Sequence, residues 1–143
     1  MTFIQQAPTF YLQAFTQMFR YQGRATRSAF WSFVLINYVV SFGFGYLDGW
    51  LHWGAPLRVA FIDQGPLSLT YMLLVLPAYT AVSVRRLHDT DRSGWWLIIG
   101  LIPLLGFIWL FVLFLMPSKE VNRFGWPESA RVSTGGVDPY ALR

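Results

Sequence analysis

The chain has 143 residues, of which 55% are hydrophobic and 13% charged, against about 25% charged in an average soluble domain; it is one domain by length and too short to wrap several all-apolar helices inside itself. Its net charge of +4 comes from basic residues that flank hydrophobic runs, not from a solvated stripe with aromatic readers, which excludes nucleic acid and makes anionic phospholipid the natural counter-charge. The absence of cysteine removes disulfides, thiolate metal sites and a cysteine nucleophile together.

In chain order, the first element predicted is an amphipathic helix over residues 7–20. Phe10, Tyr11, Ala14, Phe15, Met18 and Phe19 recur at intervals of three and four, with Gln13, Thr16 and Gln17 between them, which is helical periodicity. Pro8 is tolerated in a first turn and awkward later, so the helix is expected to begin near Ala7. Its aromatic face suits a segment lying in the headgroup plane or packed across the bundle. The first basic residue is Arg20 and no small-residue cleavage pattern follows a short apolar core, so the first span is expected to remain as an anchor. The stretch "YQGRATRSAFW" follows, in which Gly23 breaks the helix and Arg24 and Arg27 precede the first span.

Residues 30–47 and 67–84 contain no Asp, Glu, Lys or Arg, and each is long enough to cross about 30 Å of hydrocarbon as a helix. The connector between them, with Trp50, His52, Trp53, Pro56 and Gly65-Pro66, reads as a loop with room for a short surface helix. A third apolar segment covers residues 95–116 and holds Gly100, Pro103 and Gly106 near its middle. It either crosses with a kink or re-enters, since such residues break a helix at membrane depth where protein satisfies the freed backbone. Its 22 residues are short for two legs, which favours the single crossing. Residues 117–143 form a polar tail. The fold class expected is an all-α integral membrane protein, a single membrane domain 1–143 with an N-terminal amphipathic interfacial helix and three hydrophobic segments, the third kinked or re-entrant.

Arg20, Arg24 and Arg27 precede the first span, and Arg85, Arg86 and Arg92 lie between the second and third. The bias of basic residues toward the cytoplasm puts both segments, and the N-terminus, on that side. Lys119 and Arg123 fall on the same side only if the third segment re-enters.

The polar segment "RRLHDTDRSGWW" (85–96) has bland explanations in part: topology signals, helix caps from Asp89, Thr90, Asp91 or Ser93, and interfacial tryptophans. Its proximity to Arg24 and Arg27 supports a sharper one. Arg24, Arg27, Arg85, Arg86 and Arg92, with His88, Asp89 and Asp91 among them, form a candidate cytoplasmic-face site for an anionic lipid headgroup or a protein partner through forked, charge-assisted hydrogen bonds; Asn122 and Arg123 join it if the tail returns. A catalytic reading needs His88 as general base oriented by Asp89 or Asp91. No metal-ligand spacing, phosphate cradle or serine elbow accompanies it, so no enzyme, metal or cofactor is expected. The span polar residues, such as Ser32, Asn37, Ser41 and Tyr71, suit interhelical hydrogen bonds, so a structural or regulatory membrane component is expected. The alternatives are a subunit of an oligomeric transporter or channel, since a pore would require an oligomer, and a membrane enzyme acting on phosphate-bearing lipids. A homo-oligomer or a membrane-protein partner stays open.

"GRATRSAFW", "RRLHDTDRSGWW", "LIPLLGFIWL" and "NRFG" occur in this order. In these motifs the chain resembles the small YhaH-like bacterial inner-membrane proteins, the domain-of-unknown-function 805 family, from about Phe19 to Gly125. The resemblance implies a cytoplasmic-membrane protein with few spans and no established activity. Relatives tend to carry an acid where this chain has Ala29, and "PDP" where Trp126, Pro127 and Glu128 follow the last motif here.

Overall fold

A computed structural model describes residues 3–51, 57–59, 62–120 and 122–125; His52, Trp53, Pro56 and the tail from Trp126 onward lie outside them. The elements are α1 (Phe3–Thr16), α2 (Arg27–Trp50), a ribbon of β1 (Leu57–Val59) and β2 (Ile62–Gln64), α3 (Pro66–Asp89), a 3-10 helix (Gly94–Leu101) and α4 (Leu105–Leu115).

The frame is the antiparallel pair α2 and α3. Each has 24 residues and is long and apolar enough to cross a membrane, about 36 Å at 1.5 Å per residue. Thr26 starts α2 by accepting a hydrogen bond from the Ala29 N–H at 3.2 Å. α3 starts at Pro66 after Gly65, which supplies no side-chain cap; the cap comes from α2. The buried Asp48 carboxylate accepts from the Leu67 N–H (3.1 Å), the Ser68 N–H (2.8 Å) and the Ser68 hydroxyl (2.6 Å), placing a negative charge on the positive end of α3. Gly65 is required there, since a Cβ would lie 2.2 Å from Asp48 Cγ. At the other end the Ala25 N–H donates to the Arg85 carbonyl at 3.0 Å.

α1 packs against both α2 and α3. Its Tyr11 ring stacks on Phe33 with centroids 5.7 Å apart, and the Tyr11 hydroxyl pairs at 2.7 Å with that of Tyr71, which donates to Asn37 Oδ1 at 2.8 Å. Of the two placements open to this helix, these contacts are those of the packed one, and its apolar face is spent on the bundle instead of lying free for the headgroup plane. It begins at Phe3 and ends at Thr16 with Pro8 inside it, where the sequence placed it over 7–20. Packing of one face outweighs the single backbone bond that an internal proline removes. The connector, expected as a loop or short surface helix, contains an antiparallel ribbon pairing Leu57 with Gln64 and Val59 with Ile62.

The core lies where α1, α2, α3 and α4 meet, around Ala14, Phe30, Phe33, Ala78, Val82, Leu87, Leu113 and Phe114. Phe30 and Phe114 approach to 4.5 Å between centroids. The outer surface is also apolar: Tyr38, Val39, Phe42 and Tyr46 on α2 and Leu73 and Leu76 on α3 are exposed. That inversion is stable only in a lipid solvent.

The third apolar segment doubles back on itself. The 3-10 helix leaves the end of α3 after Ser93, the chain reverses over Ile102–Leu104, and α4 returns along it. The legs touch backbone to backbone, because a Cβ on Gly106 would lie 1.7 Å from the Ile99 carbonyl oxygen. The length argument for a single crossing assumed full-depth legs. Eight residues of 3-10 helix and eleven of α-helix each rise about 16 Å, so the segment has room for two short legs.

The reversal pivots on Leu104, at φ 63° and ψ −63°, with the Leu105 N–H donating to the Pro103 carbonyl at 2.7 Å. This is a γ-turn of the rare positive-φ kind. Leu104 is largely exposed, so its side chain contributes little packing. Leu104→Gly is expected to raise stability by roughly 0.5–1 kcal/mol, the Cβ strain relieved less the extra entropy of glycine; thermal unfolding in detergent measures it, and a lower midpoint would contradict the strain.

Candidate functional site

The segment read as an interhelical loop is helical in its first part. Arg85, Arg86, Leu87, His88 and Asp89 form the last turns of α3, where cationic side chains are favoured by the negative end of the helix. Asp91, at φ 64°, turns the chain out of that helix toward Ser93, the cap of the 3-10 helix.

Asp89 is completely buried and holds two buried arginines. Arg24 Nε donates to Asp89 Oδ1 at 2.9 Å, with Nη2 of the same fork at 2.8 Å, while Arg86 Nη1 donates to Asp89 Oδ2. The forks then reach across to the returning chain. Arg86 donates from Nε to the Phe114 carbonyl at 3.2 Å and from Nη2 to the Met116 carbonyl. Arg24 donates to the carbonyls of Lys119, Glu120 and Gly125, the last at 2.8 Å, and the Lys119 N–H donates to the Asp89 carbonyl at 3.1 Å.

Charge explains this arrangement. One carboxylate between two guanidiniums leaves a buried excess of one positive charge, which is costly in a low dielectric. The negative end of α4 and the carbonyls beyond it supply the compensation, so the clasp and the return of α4 require one another.

A looser shell surrounds the clasp. His88 Nδ1 donates to the Gly23 carbonyl at 3.2 Å, and its ring stacks on Phe124 at 3.8 Å and 7°. Arg123 covers that phenylalanine, 4.9 Å from its centroid. Asn122 donates from Nδ2 to the His88 carbonyl at 2.8 Å and accepts from the Phe124 N–H at 2.9 Å, folding the 122–125 turn around itself in the manner of an Asx-turn. Asp91 faces Lys119 at 3.6 Å and Arg123 at 3.4 Å, exposed pairs that contribute little. Gly23 and Gly125 both have positive φ, 94° and 100°, a conformation only glycine adopts freely.

Of the ten residues singled out from the sequence, Arg24, Arg86 and Asp89 form the clasp, and His88, Asp91, Asn122 and Arg123 form the shell. Arg85 points elsewhere, donating to Gln17 Oε1 at the end of α1. Arg92 lies 5.9 Å over the Trp96 ring. Arg27 is exposed in the first turn of α2 and donates to none of the described residues. Sequence reasoning missed Gln17 and Phe124; the aromatic in "NRFG" was the signal available for the second. It also missed that most acceptors of Arg24 and Arg86 are backbone carbonyls, for which side-chain identity carries no signal.

Two membrane-length helices, an apolar exterior and a buried ionic clasp at one end define a small helical membrane protein. The chain belongs to the family described as protein of unknown function (DUF805), whose profile matches residues 18–126. It is 38% identical over 118 residues to the inner membrane protein YhaH of Escherichia coli K12, covering 80% of this chain and 92% of that protein. It is 33% identical over 120 residues to the inner membrane protein YhaI of the same strain, covering 80% and 91%. No solved structure matches the chain.

Proposed function

We propose that this protein is a non-catalytic, multi-pass component of the bacterial inner membrane, with its N-terminus and the 122–125 turn together on the cytoplasmic face. The observation that carries the reading is that both ends of the third apolar segment meet one clasp: Asp89 precedes it, and the Phe114, Met116 and Lys119 carbonyls at its far end accept from Arg86 and Arg24. The third segment is then a re-entrant hairpin of the inner leaflet, and Lys119 and Arg123 obey the same charge bias as Arg24, Arg27, Arg85, Arg86 and Arg92. The cations outside the clasp, Arg27, Arg92 and Arg123, form a surface for anionic lipid headgroups. Arg24 and Arg86 are structural in this reading, because their forks are spent on protein acceptors.

The absence of native cysteine permits a direct test. Gln22→Cys, Ser118→Cys and Gly49→Cys, all at exposed positions, are treated separately with a membrane-impermeant maleimide in intact cells and in opened membranes. Gln22→Cys and Ser118→Cys are expected to react only after opening, and Gly49→Cys before it. Labelling of Ser118→Cys from outside would mean a plain third crossing and would end the re-entrant reading.

A further inference from the structure

We infer that the concavity beside the turn between α1 and α2 binds the phosphate of an anionic phospholipid, with Arg20 as its cation; this rests on the reading that places this end of the bundle at the inner leaflet. The concavity measures about 550 Å³ and is lined by Thr16, Gln17, Phe19, Arg20, Tyr21 and Gln22.

The arginines at this end differ in what their forks still have to give. Arg24 and Arg86 are buried and spent on Asp89 and on backbone carbonyls, Arg85 engages Gln17, Arg123 engages Asp91, Arg92 lies over Trp96, and Arg27, though exposed, does not line the concavity. Arg20 is exposed, and its guanidinium has no hydrogen bond or ion pair with the described residues. No acid competes nearby in the chain: the first carboxylate in the sequence is Asp48, and it is occupied at the opposite end of α2 by Leu67 and Ser68.

The lining matches a lipid more closely than a free ion. Phe19 is 72% exposed and Tyr21 43% exposed, giving the groove an apolar rim with a phenolic hydroxyl, the pairing favoured where headgroups meet acyl chains. Gln17 must turn Oε1 toward Arg85, since a guanidinium only donates. Its amide N–H groups are thereby left to donate beside Arg20. A phosphate in the groove receives the Arg20 fork and an amide donor, with its acyl chains along Phe19.

The experiment compares the wild type, Arg20→Gln and Arg58→Gln, each reconstituted in bilayers of phosphatidylcholine and phosphatidylglycerol in equal amounts and then analysed by native mass spectrometry for retained lipid. Arg58→Gln removes the same charge from the ribbon between the spans. Arg20→Gln is expected to retain about tenfold less phosphatidylglycerol with an unchanged unfolding midpoint, and Arg58→Gln to match the wild type. Equal retention in Arg20→Gln, or equal loss in Arg58→Gln, would overturn the site. Displacement of phosphatidylglycerol from the wild type by inorganic phosphate would overturn the lipid as its occupant. If Gln22→Cys labels from outside while Arg20→Gln still loses lipid, the orientation fails and the site stands.

Discussion

Asp89→Asn is expected to remove most of the stability of the fold. The substitution keeps shape and leaves Arg24 and Arg86, both buried, facing each other without a counter-charge. Breaking one buried pair typically costs 3–5 kcal/mol, and here one carboxylate serves two pairs. A loss of at least about 4 kcal/mol is therefore expected, a large share of the 5–15 kcal/mol that holds a domain. It is measured as a collapse of the folded yield in detergent and of the thermal unfolding midpoint. Arg86→Lys separates charge from geometry: it keeps the cation but cannot span Asp89, Phe114 and Met116 at once, so it is expected to be intermediate. A wild-type midpoint for Asp89→Asn would show that the guanidiniums are not buried as an ionic unit.

Gly106→Ala is the second large effect. Its new methyl group would lie 1.7 Å from the Ile99 oxygen, 2.7 Å from the Ile99 carbonyl carbon and 3.2 Å from Gly100 Cα. All three are backbone atoms, so no rotamer change relieves the overlap and the two legs must separate. Overpacking of side chains costs about 1–3 kcal/mol, and a backbone clash is expected at or above the top of that range. Gly43→Ala is the control, since nothing lies within 4 Å of its added methyl, and it is expected to stay within about 0.5 kcal/mol of the wild type. Because the return of α4 delivers the carbonyls that Arg24 and Arg86 need, Gly106→Ala should also loosen the 122–125 turn, read as faster proteolysis after Lys119 or Arg123. Equal midpoints for the two alanine variants would mean that the legs do not touch.

The two long apolar helices were legible because membrane burial writes itself into composition: a run of apolar residues wide enough for the hydrocarbon needs no partner to be recognised. The polar side chains of the clasp were legible as a group for a related reason, since charges beside a span must have a side and a purpose. Their division of labour was not. Nothing local distinguishes Arg24, which is buried and saturated, from Arg27 three residues later, which is exposed; only the positions of Asp89 and of the returning chain separate them. The doubling back of the third segment was hidden by a length argument that allowed for one long helix, and by a 3-10 helix whose larger rise periodicity does not announce.

By itself, then, the sequence determined the solvent of this protein, its two principal helices and the charged face they share, because these follow from local composition and from the energetic cost of placing charge in hydrocarbon. The tertiary structure alone decided that residues 94–115 turn back, that α1 joins the bundle through Tyr11, and that Asp89 binds two arginines. Those outcomes depend on donors and acceptors far apart in the chain, such as the Arg24 guanidinium and the Gly125 carbonyl, whose pairing follows from the need to satisfy buried backbone groups and charge at once.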